Sequence, residues 1–133
     1  MAGNVLSAST SSTNVYKSKV TQLAGKSRDI TWVYVITGTL TGTLIVEGSN
    51  SDEDLIRADA AGGTNTTDQA VWVQYKHLTA VDGTAAHTIA VSGAVTDYIE
   101  VVDAPFKGMR VKYTNATNTG QIDVDACAKA EGL

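Results

Sequence analysis

The chain has 133 residues, 43% of them hydrophobic and 18% charged, so it is long enough to bury one core and is not of the disordered, charge-rich class. Its formal net charge of -4 argues against a surface that follows nucleic-acid phosphates, which needs clustered Lys and Arg. Thr and Ser make up roughly a fifth of the chain, which favours pleated strands. We therefore expect an all-β protein with no nucleic-acid partner.

Residues 1–13 are small and polar and show no hydrophobic period. This pattern predicts a flexible N-terminal arm that would become ordered on a partner. The segment has neither the basic start nor the apolar run of a signal peptide, and no apolar stretch approaches the ~20 residues that cross a membrane. We expect a protein that is made and kept soluble, with no membrane partner.

From Asn14 onward, short strand-like runs alternate with Gly, Asn and Asp at intervals of about ten residues, which is typical of a sandwich. The pattern predicts a single antiparallel β-sandwich domain over residues 14–133, with about eight strands. The run 15–23 carries two lysines and is predicted as an edge strand. The run 30–37 is apolar on one side and mixed Val and Thr on the other, so we expect a heavily buried central strand, joined by a hairpin to the run 43–48.

The middle of the chain contains two turn-rich loops, at 48–54 and 62–67, with room for one helical turn over 55–61. The run 70–76 alternates like a strand, and its predicted neighbour lies around 87–92. The candidate interaction surface comes from this region and comprises Asn50, Asp52, Asp54, Trp72 and Tyr75.

The last third contains two regular alternating runs, 108–114 and 121–128, which we predict to form a hairpin. On the outer face of that hairpin, Arg110 and Lys112 would lie opposite Asp123 and Asp125. Each such pair would contribute about 0.2–1 kcal/mol and would help to set the register.

The usual catalytic constellations are absent from the sequence. His77 and His87 are the only histidines, and no nucleophile motif accompanies them. The acidic run 52–54 lacks the spacing of a calcium loop, and the single cysteine, Cys127, is expected to be a small packed side chain. We expect no enzymatic activity, no cofactor and no metal.

The phrases Thr-Gly-Thr-Leu-Ile-Val-Glu-Gly-Ser-Asn at 41–50 and Ala-Pro-Phe-Lys-Gly-Met-Arg-Val-Lys-Tyr-Thr-Asn-Ala-Thr at 104–117, followed by Gly-Gln-Ile-Asp-Val-Asp-Ala at 120–126, resemble small virion structural proteins of tailed bacteriophages. That group includes head decoration (cement) proteins and tail components. The resemblance covers about three-quarters of the chain. It implies a jelly-roll-like sandwich, made in the host cytoplasm and located in the virion, that self-associates as a dimer or trimer.

The resemblance leads us to expect a capsid decoration protein that binds the major capsid protein and stabilises its lattice. A tail or fibre-associated component is the alternative within the same class. A carbohydrate-binding module is the alternative from another class, with exposed Trp72 or Tyr75 as the sugar platform. Trp32 is not part of that platform, because its alternation with Ile30 and Ile36 places it in the core.

Overall fold

The structure is a computed structural model that describes residues 2–10, 12–23, 28–76 and 88–130. These residues form two antiparallel sheets that face each other, with one short helix. The elements are, in chain order, β1 (Ala2–Thr10), β2 (Val15–Lys17), β3 (Thr21–Gln22), β4 (Arg28–Gly38), β5 (Thr41–Ser49), α1 (Glu53–Ala58), β6 (Gly63–Thr64), β7 (Val73–Gln74), β8 (Ile89–Ser92), β9 (Val95–Val101), β10 (Gly108–Thr117) and β11 (Gly120–Ala130). The predicted all-β antiparallel sandwich is confirmed, whereas a jelly-roll arrangement stays a prediction.

The four-stranded sheet has the order β1-β11-β4-β9. Its centre is β4, as expected for the run 30–37. Trp32 lies opposite Ala126 on one side and Ile99 on the other, and its ring is fully buried. The same inward side of β4 carries Ile30, Tyr34 and Ile36, all buried. Alternate residues of a strand point to opposite faces, so this side of β4 forms half of the core.

The seven-stranded sheet has the path β6-β2-β10-β5-β7, with β3 beside β10 and β8 beside β5. Its centre is the long pair of β10 and β5, in which Val111 lies opposite Val46 and Tyr113 opposite Leu44. All four side chains are fully buried and face the other sheet. The core therefore lies between β4 and β11 on one side and β5 and β10 on the other.

Both predicted hairpins are wrong, because β4 and β5 belong to different sheets, as do β10 and β11. The short connections cross from one sheet to the other at the same end of the sandwich. Gly38 and Asn118 take positive φ angles of 84° and 71°, and the N–H of Thr39 donates to the carbonyl of Thr119 at 2.9 Å. Consequently Arg110 and Lys112 lie on the opposite outer face from Asp123 and Asp125. Alternation is identical in a hairpin and in a crossover, so the sequence pattern does not separate them.

The predicted flexible arm is also wrong. Residues 2–10 form β1, an edge strand paired with β11 along its whole length, so the boundary at residue 14 does not hold. Leu6 is buried in the core, while Ser7 donates to Asp123 at 2.6 Å and Ser9 to Gln121 at 2.9 Å. The polar residues that suggested an arm are the outward side of a strand, and they meet polar partners on the neighbouring strand.

Three smaller expectations change in detail. The run 15–23 is broken into β2 and β3, and β2 lies between β10 and β6 rather than at an edge. The expected helical turn is α1, which begins slightly earlier, at Glu53. Only Val73–Gln74 of the run 70–76 is a strand, and β7 and β8 pair with different parts of β5 instead of with each other; residue 87 lies outside the described residues. No helix in the described ranges is long and apolar enough to cross a membrane.

Candidate interaction surfaces

The outer face of the seven-stranded sheet carries a compact group of charges, which we call the Arg110 cluster (Lys17, Glu47, Asp68, Arg110 and Lys112). Strand pairing brings its members together. Arg110 lies opposite Glu47, and Lys112 lies opposite Lys17. The segment between β6 and β7 folds back over this face and adds Asp68. The cover explains why Arg110, which alternation places on an outer face, is only 1% exposed.

Arg110 is held by two carboxylates. Its Nε donates to Oε1 of Glu47 at 3.0 Å, and its two terminal nitrogens donate to the two oxygens of Asp68 at 3.0 and 2.8 Å. A planar guanidinium matches a carboxylate in this paired geometry, which makes such hydrogen bonds short and directional. Because a buried charge without partners is very costly, the fork fixes Asp68, and with it the covering segment, to the sheet.

The two lysines of the cluster would repel each other across the β2–β10 pair if they stood alone. Each has its own acceptor instead. Nζ of Lys17 lies 3.1 Å from Oδ1 of Asp68 and donates to the carbonyl of Thr66 at 2.6 Å. Nζ of Lys112 lies 3.3 Å from Oε2 of Glu47. The cluster is therefore a structural network that joins three strands and a loop.

Trp72 packs against this network through its ring and its N–H group. Its ring lies over the guanidinium of Arg110 at 4.0 Å, and its Nε1 donates to Asp59 at 2.9 Å. Asp59 also accepts the backbone N–H groups of Gln69 and Ala70, at 2.8 and 2.9 Å. Burial raises the pKa of Asp59, but the hydrogen bonds from Trp72, Gln69 and Ala70 outweigh it and hold the pKa below its usual value.

The aromatic residues of the predicted surface do not form a shared platform. Trp72 has one ring face covered by Arg110. Tyr75 packs against the core and meets Phe106 edge to face, with ring centres 6.3 Å apart. The two predicted platform residues thus have separate structural roles, which sequence alternation alone does not reveal.

The remaining residues of the predicted surface are exposed and engaged locally. Asn50 accepts the backbone N–H of Lys107 at 3.0 Å, Asp52 precedes α1, and Asp54 pairs with Arg57 at 3.2 Å. Within the described ranges, no group of three or more His, Cys, Asp or Glu is arranged to hold a metal ion. Cys127 is exposed rather than packed, because it lies on the outer side of β11.

The sequence reasoning missed the outer face of the four-stranded sheet. Val33 and Val35, expected to be buried, are 43% and 37% exposed, and Tyr98 beside them is 63% exposed. Val33 lies opposite Tyr98 on β9 and opposite Asp125 on β11. We call this apolar area the Val33 face (Val33, Val35, Thr96 and Tyr98). The threonines that share this side of β4, at 31 and 37, were the available signal that it faces solvent.

The Val33 face ends at a strand edge. Among the residues that the structure describes, β9 pairs with β4 only, so its other side carries backbone groups that no described strand uses. An open edge of this kind is a template for another strand. A separate shallow groove at the crossover end, with a volume of about 410 Å³, has no titratable side chain in its described lining, which comprises Ser9, Thr10, Thr37, Gly38, Thr119, Gly120 and Gln121.

Fold and surfaces together define an antiparallel β-sandwich with a charge network on one outer face and an exposed apolar area on the other. A search of solved structures finds a similar fold in the PBSX exported protein XepA, with a TM-score of 0.62 over the whole of this chain. The two sequences are 17% identical, and the chain spans 38% of the length of XepA, so the likeness concerns the fold alone. No protein-family model and no curated protein matches the chain.

Proposed function

We propose that the protein is a bacteriophage virion structural protein, and specifically a decoration protein that binds the major capsid lattice. The observation that carries the proposal is the Val33 face, an exposed apolar area that extends from β4 to the edge strand β9. The sequence resemblance to phage virion proteins and the shared fold with a protein of the PBSX phage support the phage association.

The Val33 face has the composition of a docking surface. Its centre contains Val33 and Tyr98, and aromatic side chains are enriched among residues that dominate binding energy. Asp123 and Asp125 of β11 border it, which gives an apolar centre with an acidic rim on one side. The complementary surface would be apolar with basic residues around it. The affinity of a single contact through the Val33 face would be modest. Because a capsid lattice repeats the same binding site, multivalency would raise the overall affinity.

The test is co-sedimentation of the purified full chain with assembled capsids and, separately, with purified tails. We expect the wild-type chain to pellet with capsids. The double variant Val33→Ser with Val35→Ser should lose this binding. The matched control is Val71→Ser with Val73→Ser, because these valines are at least as exposed as Val33 and Val35 but lie on the side of the other sheet. That control should bind like the wild type.

Three outcomes would contradict the proposal in different ways. Pelleting with tails alone would assign the protein to the tail or fibre-associated class. Loss of capsid binding in the Val71 and Val73 control, with binding intact in the Val33 and Val35 variant, would move the docking surface to the other sheet. Binding to neither particle would reject a virion role.

A further inference from the structure

The edge of β9 that no described strand covers has a defined pattern of backbone groups. In an antiparallel pair, opposite residues alternate between exchanging two hydrogen bonds and exchanging none. Tyr98 lies opposite Val33, and its N–H donates to Oδ1 of Asp97 at 2.8 Å. On β4, the carbonyl of Arg28 accepts the N–H of Ala104 just beyond β9, so the even-numbered residues of β4 direct their backbone groups towards β9 and Val33 does not. The N–H of Tyr98 therefore points away from the sheet. By the same alternation, the backbone groups of Thr96 and Glu100 also point outward.

We propose that β9 pairs with β9 of a second copy of this chain, antiparallel and about a two-fold axis at Tyr98. The two four-stranded sheets would then form one continuous sheet. Tyr98 would lie opposite Tyr98 of the second copy, and Thr96 opposite Glu100. This pairing requires no capsid, so it stands or falls independently of the decoration role.

The hydrogen-bonding pattern selects this register. Only residues whose backbone groups point outward can exchange hydrogen bonds with another strand, and in β9 these are Thr96, Tyr98 and Glu100. An axis at Tyr98 uses all three. An axis at Asp97 or at Ile99 leaves one of the three without a partner inside the strand. In the single chain, the carboxylate of Asp97 occupies the N–H of Tyr98, so pairing replaces that hydrogen bond with a backbone one.

Charge favours the same register. With the axis at Tyr98, Glu100 lies opposite an uncharged threonine and Asp97 lies opposite Ile99, so no two carboxylates face each other. With the axis at Asp97, two carboxylates would lie directly opposite, which is unfavourable. An edge that is compatible with its own two-fold copy is what an isologous dimer requires.

The side chains continue across the axis. On the outer face, Tyr98 is already the neighbour of Val33 within each sheet. Pairing would place the two tyrosines side by side, and aromatic cross-strand pairs stabilise a sheet. The Val33 faces of both copies would become one apolar stripe in the middle of the joined sheet. Tyr98 is 63% exposed, and this contact would cover the part of its side chain that faces the second copy.

The first test is the mass of the full chain in solution as a function of concentration. We expect a dimer of the 13.9 kDa chain. Thr96→Glu would place a carboxylate opposite Glu100 at two symmetric positions and should raise the dimer dissociation constant about tenfold, whereas Thr96→Arg should lower it. Adding Glu100→Arg to Thr96→Glu forms the same opposite-charge pairs in reverse and should lower the dissociation constant to the wild-type value or below. Thr37→Glu, an exposed threonine on the same face but beyond the end of β9, is the matched control and should change nothing.

The second test is disulfide trapping in a Cys127→Ser background. Opposite residues in a hydrogen-bonded pair have Cα atoms about 5.5 Å apart, within the range of a disulfide. Tyr98→Cys should therefore cross-link two chains under mild oxidation. Val33→Cys is the control. Val33 lies one strand farther from the two-fold axis in each copy, so the two sulfurs would be about 10 Å farther apart than those at position 98. It should stay uncross-linked under the same conditions.

A chain that remains monomeric at every concentration overturns the inference, and so does cross-linking at Val33 as fast as at Tyr98. A dimer whose dissociation constant ignores both Thr96 variants would place the interface elsewhere. A monomer that binds capsids would overturn the dimer while leaving the decoration role intact. Circular dichroism of each variant confirms that the sandwich has folded.

Discussion

The guanidinium carbon of Arg110 lies 4.0 Å from the centre of the Trp72 ring. The two residues come from different parts of the chain, since Arg110 belongs to the central strand β10 of the seven-stranded sheet and Trp72 to the segment that folds over it. This contact and the two hydrogen bonds from Arg110 to Asp68 hold the covering segment against the seven-stranded sheet. The stability of this side of the sandwich should therefore depend on a few polar contacts.

Replacing Trp72 tests that dependence. Trp72→Ala removes both the ring over Arg110 and the hydrogen bond to Asp59. We expect a loss of about 3 kcal/mol in the free energy of unfolding, measured by urea denaturation. Trp72→Phe keeps the ring and loses only the donor, so its loss should be clearly smaller. A Trp72→Ala protein that is fully stable but has lost binding to a glycan would contradict this role and favour the carbohydrate-binding module.

Removing the Asp68 carboxylate, which accepts two hydrogen bonds from Arg110, should lower the free energy of unfolding by a similar amount. Asp68→Asn leaves Glu47 as the only carboxylate at the buried guanidinium and removes the negative charge that pairs with Lys17. We expect a loss of about 3 kcal/mol in the free energy of unfolding, because breaking a buried pair leaves a charge uncompensated. Asp54→Asn removes an exposed pair with Arg57 in α1 and should cost well under about 1 kcal/mol. Equal losses in the two variants would show that the buried Asp68–Arg110 pair contributes no more to stability than the exposed Asp54–Arg57 pair.

The cluster also predicts how stability depends on pH. Burial raises the pKa of Asp68, but the hydrogen bonds and charges of Arg110 and Lys17 outweigh it, and the pKa of Asp68, like that of Asp59, lies below its usual value. A lowered pKa in the folded state contributes stability above the unfolded value of about 3.9, and that contribution is lost as the pH falls through the folded pKa.

The corresponding measurement is the free energy of unfolding between neutral pH and about pH 2. We expect it to fall steeply below about pH 4 in the wild type. Asp68→Asn should start lower and show a flatter acid branch, because the titrating group is gone. An acid branch of the same slope in both proteins would mean that other carboxylates dominate the loss.

The sequence predicts the class of fold and the buried side of β4, because period-two alternation and burial are local properties. It does not predict which strands pair. Thr39 and Leu40 look like a turn in a hairpin, yet Leu40 is fully buried and the chain crosses between sheets there. The Arg110 cluster was missed for a related reason. Alternation places Arg110 on an outer face, and only the long-range return of residues around Asp68 buries it.

The last prediction concerns β1, where the sequence suggested an arm that orders on a partner. The structure places Leu6 in the core and pairs the strand with β11, so residues 2–10 should stabilise the isolated chain. Leu6→Ala should lower the free energy of unfolding by about 2–3 kcal/mol without any partner present. Ser9→Ala, on the exposed side of the same strand, should change it by about 0.5 kcal/mol or less.

Deleting residues 1–10 would remove the whole strand, expose the edge of β11 and leave the core beside Leu6 open, so we expect a protein that unfolds or aggregates in the absence of capsids. Loss of capsid binding in that deletion would then report unfolding rather than a missing arm. Leu6→Ala separates the two explanations, since an arm that works only on a partner would tolerate this change in the free chain. A Leu6→Ala protein with wild-type stability that no longer binds capsids would restore the arm hypothesis.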